Sequence, residues 1–218
     1  DAMSLKYAIL GYLSSGPGSG YDLVQQLDGG LGWFWAASHS QIYPELRRLE
    51  GAGLIEGTAT TVGERLEKRV YSLTEAGAED LRKWTAREPQ YRPNRDPERL
   101  QLLFSDSNGI ESIRIHLEAH REHFAKRRER VIEMRERILK GEHPRVLQRI
   151  QSKEGADQVV TLLLRDLAYS GDVQRAELEI EWATEALERL DALQSFSEAP
   201  AGDAGSDAAG SGSAGSGS

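Results

Sequence analysis

Between residues 109 and 140 an apolar side chain returns every seventh position, as Ile110, Leu117, Phe124, Val131 and Ile138. A seven-residue repeat sustained this long commits the segment to one continuous helix, and to a second long helix that can cover the stripe. Ile113, His120 and Met134 occupy the intermediate seam positions. Gly141 and Pro144 then break the pattern. A second helix is expected over roughly residues 155–195, with Leu162, Tyr169, Val173, Ala176, Ile180, Ala183, Leu187 and Leu190 on a similar stripe. Alanines there permit close helix approach. These two helices bury little against an N-terminal region that closes on itself, so a homodimer formed through them is the simplest use of their apolar faces.

The N-terminal region has a different grammar. "SLKYAILGYL" places Leu5, Ala8, Ile9, Tyr12 and Leu13 on one helical face. "SGPGSG" stops that helix, and Ser19 with Asp22 forms a capping arrangement for a second one, which buries Leu23, Val24 and Leu27. A third helix runs through "SQIYPELRRLEGAG" with Ile42, Leu46 and Leu49 inward, and Gly53 ends it. "LIEGTATT" and "KRVYSL" read as two strands around the polar turn "VGERLE". Thr74 caps a further helix, "TEAGAEDLRKWTA", whose Glu75 sits in the favourable first turn. Three short helices, a two-stranded hairpin and one more helix is the order of a winged helix-turn-helix, an architecture that docks on DNA.

The expected fold is therefore mainly α. A winged helix-turn-helix with a two-stranded wing spans residues 3–88, and "PQYRPNRD", the end of the proline-bearing run at 87–96, supplies the linker at 89–96. A long-helix dimerisation domain follows over residues 97–196. Residues 197–218 are almost wholly Gly, Ser and Ala, which bury too little to offset ordering entropy, so a flexible tail is expected. Asp1 and Ala2 before Met3 read as a remnant of cloning.

The 218 residues contain no cysteine, which excludes disulfides, thiol nucleophiles and thiolate metal sites. With no apolar run of membrane-spanning length and no leader pattern, the expectation is a soluble, cytoplasmic, nucleoid-associated protein. The net charge of −8 argues against a generally basic nucleic-acid coat protein but leaves room for a local basic surface.

On the third helix the inward positions leave His39, Ser40, Gln41, Tyr43, Arg47 and Arg48 facing outward. Gln pairs with adenine edges, Arg with guanine, and Ser with base edges or phosphate. Ser38 and Gln41 fit a capping box that starts the helix at Ser38. Pro44 has no N–H for the carbonyl of Ser40, so irregularity is expected near the helix start. Arg65, Lys68 and Arg69 sit on the hairpin, where a wing lies along a phosphate backbone, although Glu64 and Glu67 partly cancel their field. Taken alone, the Arg47–Arg48 pair also fits a simple solvated face.

Other chemistry has less support. His116, His120 and His123 share one helical face at metal-binding spacing, but they also lie on or beside the seam as interface residues. No nucleophile elbow and no phosphate-cradling glycine loop follows a strand. Neither an enzymatic activity nor a cofactor is expected.

The run "MSLKYAILGYL…GYDL…FWAASHSQIYPELRRLEGAGLI…KRVYSLTEAG", from Met3 to about Trp84, resembles the PadR family of bacterial transcriptional regulators. The remaining helices resemble, by length and helical pattern, the C-terminal dimerisation region of the family's longer subgroup, related to the virulence activator type. The resemblance implies a homodimeric repressor or activator, with repression expected, that binds double-stranded DNA at an inverted repeat. It assigns DNA contacts to Ser38, Ser40, Gln41 and Tyr43 on the third helix and to Lys68 and Arg69 on the wing. Many relatives carry a more basic wing, such as "GRPRK", where this chain reads "GERLEK". Some relatives respond to phenolic or hydrophobic small molecules, which makes Trp33, Phe34 and Trp35 candidates for an effector pocket. Phe34 and Trp35 serve equally as a staple at the start of the third helix. An interaction scaffold that docks a protein through its long helices is the alternative function.

Overall fold

The computed structural model describes residues 2–28, 39–62, 66–91 and 95–198. The first unit begins with α1 (Ala2–Leu13), followed by the two-residue strand β1 (Gly18–Ser19), α2 (Gly20–Asp28) and α3 (His39–Gly51). The hairpin of β2 (Ile55–Val62) and β3 (Leu66–Leu73) comes next, and α4 (Glu75–Thr85) closes the unit.

Helix α1 is the centre of this unit. Leu5, Tyr7, Ile9, Leu10, Tyr12 and Leu13 are all buried, which is more than the one-sided stripe expected from spacing. Helices α3 and α4 and strand β3 all rest on α1, and a helix enclosed from several sides has little use for a polar face. The expected inward residues of α3 are completely covered, with Ile42 and Leu49 at 0 % exposure and Leu46 at 1 %. Leu23, Val24, Ile55 and Tyr71 complete the core.

Local chemistry sets the boundaries. Ser19 and Asp22 cap α2 reciprocally: Asp22 N–H donates to Ser19 Oγ at 3.2 Å, and Ser19 N–H donates to Asp22 Oδ2 at 3.0 Å. Gly53, at φ +68°, ends α3. The Leu54 N–H reaches the Leu49 carbonyl at 3.0 Å and the Gly53 N–H reaches that of Glu50 at 2.9 Å, the paired bonds of a Schellman stop. Thr74 Oγ1 accepts from Gly77 N–H at 3.1 Å and so caps α4. Pro44 lies inside α3, whose helical span nevertheless continues unbroken to Gly51. The sheet has one strand more than the expected hairpin. β1 adds to the free edge of β3, giving the order β1-β3-β2 with Gly18 opposite Tyr71 and Ser19 opposite Val70.

The second unit holds α5 (Pro97–Leu103), capped by Asp96, a short 3-10 turn at Ser105–Ser107, and α6 (Ile110–Leu139). It ends with α7 (Pro144–Gln151) and α8 (Ala156–Glu198). Helices α6 and α8 are antiparallel partners within the chain. Arg114 pairs with Asp191, Arg127 with Asp172 and Arg135 with Asp166, so residue numbers fall along α8 as they rise along α6. The seven-residue stripe thus meets its long partner helix within the chain. Leu117, Val131 and Ile138 are covered by the chain's own α8, with Tyr169, Ala176, Ala183, Leu187 and Leu190 buried opposite. A subunit contact has to use other faces. Such a face exists at the start of α8, where Val159, Val160, Leu163, Leu164 and Leu167 are all exposed.

Helix α7 was legible only as the break at Gly141 and Pro144. Gly141, at φ +73°, stops α6, and His143 caps α7 through Nδ1, which accepts from Val146 N–H at 3.4 Å. Val146 plugs into a second core with Val131, Ile138 and Tyr169. The opposite side of α7 faces the first unit.

Candidate nucleic-acid interface

Because α3 hides Ile42, Glu45, Leu46 and Leu49, most of its remaining positions face out. Ser40, Gln41, Tyr43, Arg47 and Arg48 are all exposed. His39 opens the helix. Ser38, Arg65, Trp33 and Trp35 lie outside the described residues, and so does the capping role expected of Ser38.

Tyr43 is held by something the sequence pattern did not advertise. Its ring lies so close to Gly20 that a Cβ at that position would come within 2.6 Å of it. The glycine at the start of α2 therefore seats an aromatic of α3, and a half-exposed phenol projects from a fixed platform. Arg47 is exposed and has no acidic partner among the described residues. Arg48 behaves differently. Its Nε and Nη2 donate to Glu45 at 2.8 and 2.6 Å, and Glu45 is buried. The doubled arginine thus divides into one outward cation and one that satisfies a covered carboxylate. A buried acid one turn from an arginine was the available signal.

The wing cations are likewise engaged. Lys68 Nζ stands 3.1 Å from Asp22, and Arg69 Nη2 stands 2.5 Å from Glu50. Burial pushes the Asp22 carboxyl up, but bonds from Ser19 and Lys68 outweigh it and hold it below its ordinary value. Hydrogen bonding from Arg69 holds the Glu50 carboxyl below its ordinary value as well. Glu50 also accepts from the Gly57 N–H at 3.0 Å, so one side chain of α3 fixes both strands of the hairpin. Lys68 and Arg69 set the angle between α2, α3 and the wing, which reduces the charge they can give to a phosphate.

The histidine cluster has a structural use. His120 bonds Glu179 at 3.1 Å and packs against Phe124 and Trp182. Arg99 reaches the same Glu179 at 2.6 Å, tying α5 to the α6/α8 pair.

Between the two units lies a cavity of about 710 Å³. Tyr7, Tyr12, Trp84 and Tyr169 give it aromatic walls, with Trp84 stacked on Tyr7 at 4.4 Å. Arg149 and Arg165 also line it; burial lowers the proton affinity of both, and the Arg149 guanidinium lowers that of Arg165 further. Among the described residues neither meets a carboxylate; Arg149 donates to Ser14 Oγ and Arg165 to the Thr161 carbonyl. Aromatic walls and two half-desolvated cations suit a flat organic anion.

Comparison with known proteins agrees with this division. The transcriptional regulator PadR-like family matches residues 9–83, and the virulence activator alpha C-terminal family matches residues 94–191. The negative transcriptional regulator PadR of Bacillus subtilis is 49% identical over 83 residues, covering 38% of this chain and 46% of that protein. A probable transcriptional regulator of Mycobacterium tuberculosis is 37% identical over 84 residues, covering 38% of this chain and 44% of that one. The matched stretch thus spans a little under half the length of these curated relatives. Solved structures cover more. Bacillus subtilis PadR in complex with operator DNA superposes with a TM-score of 0.69 at 28% identity, over 85% of this chain and 97% of that one. The Vibrio cholerae virulence activator AphA does so with a TM-score of 0.60 at 26% identity, over 87% and 99%. The same Bacillus protein in complex with p-coumaric acid gives a TM-score of 0.63 at 27% identity, over 87% and 97%. The chain thus carries a PadR-like family domain first and the virulence-activator helices behind it, an order that fits the family's longer, helically extended subgroup.

Proposed function

We propose that the chain is a DNA-binding transcriptional regulator that represses from an inverted-repeat operator as a homodimer. The observation that carries the proposal is the outward face of α3, where Tyr43 and Arg47 project from a helix whose inward residues are fully covered. Helix α3 enters the major groove, Tyr43, Gln41 and Arg47 meet bases and phosphates, and the wing lies along the backbone as a weaker contact. Ser40 and Arg48 belong to the same face and Lys68 and Arg69 to the wing, and Ser38, His39 and Arg65 are proposed as further contacts from their places in the sequence. Repression is supported by the negative regulator among the relatives, and DNA docking by the relative solved with operator DNA. The exposed stripe of α8 and the apolar side chains of α5 supply a two-fold contact that would space two copies of α3 about one helical turn apart.

The interdomain cavity is a proposed effector site; the pocket expected at Trp33 and Trp35 lies outside the described residues. The relative solved with p-coumaric acid, an aromatic acid, supports a ligand of that kind, and Arg149 and Arg165 on the cavity wall are the cations offered to its carboxylate.

A gel shift with DNA from the promoter of its own gene region tests the central claim. The intact protein should give a salt-sensitive shift that survives nonspecific competitor. Tyr43→Ala should weaken it by about 1–3 kcal/mol, and Arg47→Ala should also lower the salt slope by about one if it meets a phosphate. No competitor-resistant shift would leave the protein-docking scaffold as the better account. Loss of the dimer in either variant would move that residue to the subunit interface.

A further inference from the structure

Arg145 sits on α7, in the C-terminal unit, yet every bond of its guanidinium given among the described residues goes to the N-terminal unit. Nη1 donates to the Gly16 carbonyl at 2.7 Å, and Nη2 donates to the Pro17 carbonyl at 2.7 Å and to the Tyr12 hydroxyl at 2.5 Å. The guanidinium also stacks over the Tyr12 ring at 3.9 Å. An arginine of this kind ordinarily takes a carboxylate; here it holds two consecutive peptide carbonyls of one turn. A planar fork can reach both carbonyls and a hydroxyl at once, which the single ammonium of lysine cannot do.

The turn it grips leads directly into the DNA-facing elements. Gly16 has φ +134°, a backbone state that side-chain-bearing residues rarely adopt. Pro17 runs into β1, whose Gly18 and Ser19 pair with Tyr71 and Val70 of the wing strand. Ser19 caps α2 together with Asp22, and Asp22 holds Lys68 of the wing. Gly20 is the seat of Tyr43. Within a few residues of the clamp, therefore, lie the contacts that set both the wing and the projecting tyrosine of α3. Gly18 is itself matched to the clamp: a Cβ there would run into Arg145 Nη2 and the Tyr12 ring.

We propose that Arg145 is a positioning residue for DNA binding, a clamp from the C-terminal unit that fixes the turn before α2 and through it the placement of Tyr43 and the wing. The inference rests on α3 being the DNA-facing helix. Arg145 also lines the interdomain cavity, so an anion bound beside Arg149 competes with the Gly16 and Pro17 carbonyls for the same guanidinium.

The test uses the full chain with Arg145→Ala, Arg145→Lys and Gly18→Ala, the last displacing the guanidinium from the opposite side. Three readouts are needed: operator affinity across a salt series, amide hydrogen exchange of residues 16–24, and the mass of the assembly in solution. All three variants should bind operator about tenfold more weakly, the size of a typical coupling between sites. The salt slope and the mass should match the unaltered protein, and residues 16–24 should exchange faster. Wild-type affinity in Arg145→Ala and Gly18→Ala would overturn the proposal. So would a salt slope lower by about one, which would make Arg145 a phosphate contact. If Arg145→Ala does not fold, Tyr12→Phe, which removes one acceptor and keeps the ring, should show a smaller loss with the same faster exchange; unchanged exchange overturns the clamp. Should the unaltered protein shift no operator at all, the DNA-binding proposal fails on its own. The clamp is then decided by whether Arg145→Ala loosens residues 16–24.

Discussion

His143 shows how a single side chain can tie stability to pH in this molecule. Burial and the guanidinium of Arg137 hold its imidazole below its ordinary value, and Arg165 adds to the effect. Its Nδ1 accepts the Val146 N–H that starts α7, and a protonated ring could no longer accept. The folded chain thus binds this proton less readily than the unfolded one, so the unfolded state carries more protons at mildly acidic pH. The contribution is complete above about pH 6.5 and is lost as pH falls below that value toward the folded one. Replacing His143 by Asn keeps a cap without the titration. The stability lead of the natural protein over His143→Asn, followed by thermal unfolding, should shrink between pH 7.5 and 5.5. A constant difference across that window would mean that another group titrates. At this scale much of the site was legible: Ile42, Leu46 and Leu49 declared themselves inward by spacing, and Tyr43 and Arg47 outward. The fates of Lys68 and Arg69 were not, because their partners Asp22 and Glu50 come from elsewhere in the fold, whereas Glu45, one turn from Arg48, was there to be read.

Among the elements, the α6/α8 pair is held by a seam with an ion pair set into it. Arg127 Nη2 stands 2.9 Å from both carboxylate oxygens of Asp172, which is 6 % exposed. Removing the cation leaves a covered carboxylate without its partner, whereas removing both replaces two desolvated charges with apolar contact. Arg127→Met should therefore cost about 3 kcal/mol in denaturant unfolding at fixed protein concentration, and Arg127→Met with Asp172→Leu should recover most of it. Equal losses in the single and double variants would show that the pair's geometry is worth more than its burial costs. The seven-residue repeat predicted that α6 needs a long partner, and it found the right face. A repeat carries no label for which helix covers it, so the assignment to a second subunit was open until α8 was seen folded back on α6.

For the whole molecule, exposed apolar side chains are concentrated at the start of α8. Val159, Val160, Leu163, Leu164 and Leu167 are all exposed there, an unusual concentration for a surface that stays free. If this stripe forms the two-fold contact, Leu163→Glu with Leu167→Glu should shift the protein from dimer to monomer by light scattering. Operator affinity should fall steeply with it, because two half-sites are then bound separately. A double variant that stays dimeric would move the contact to α5 and the distal end of the bundle.

The amino-acid sequence by itself determined the helices, the hairpin, their caps and stops, and which face of each helix is apolar. Those properties follow from spacing and from residues with fixed backbone preferences, such as Gly53, Gly141 and Thr74. Only the tertiary structure decided that α8 covers α6, that β1 joins the wing, that Gly20 seats Tyr43, and that Arg145 reaches across to the turn before α2. Each of these joins residues far apart in the chain, and an apolar stripe or a charge specifies that it needs a partner without specifying which one.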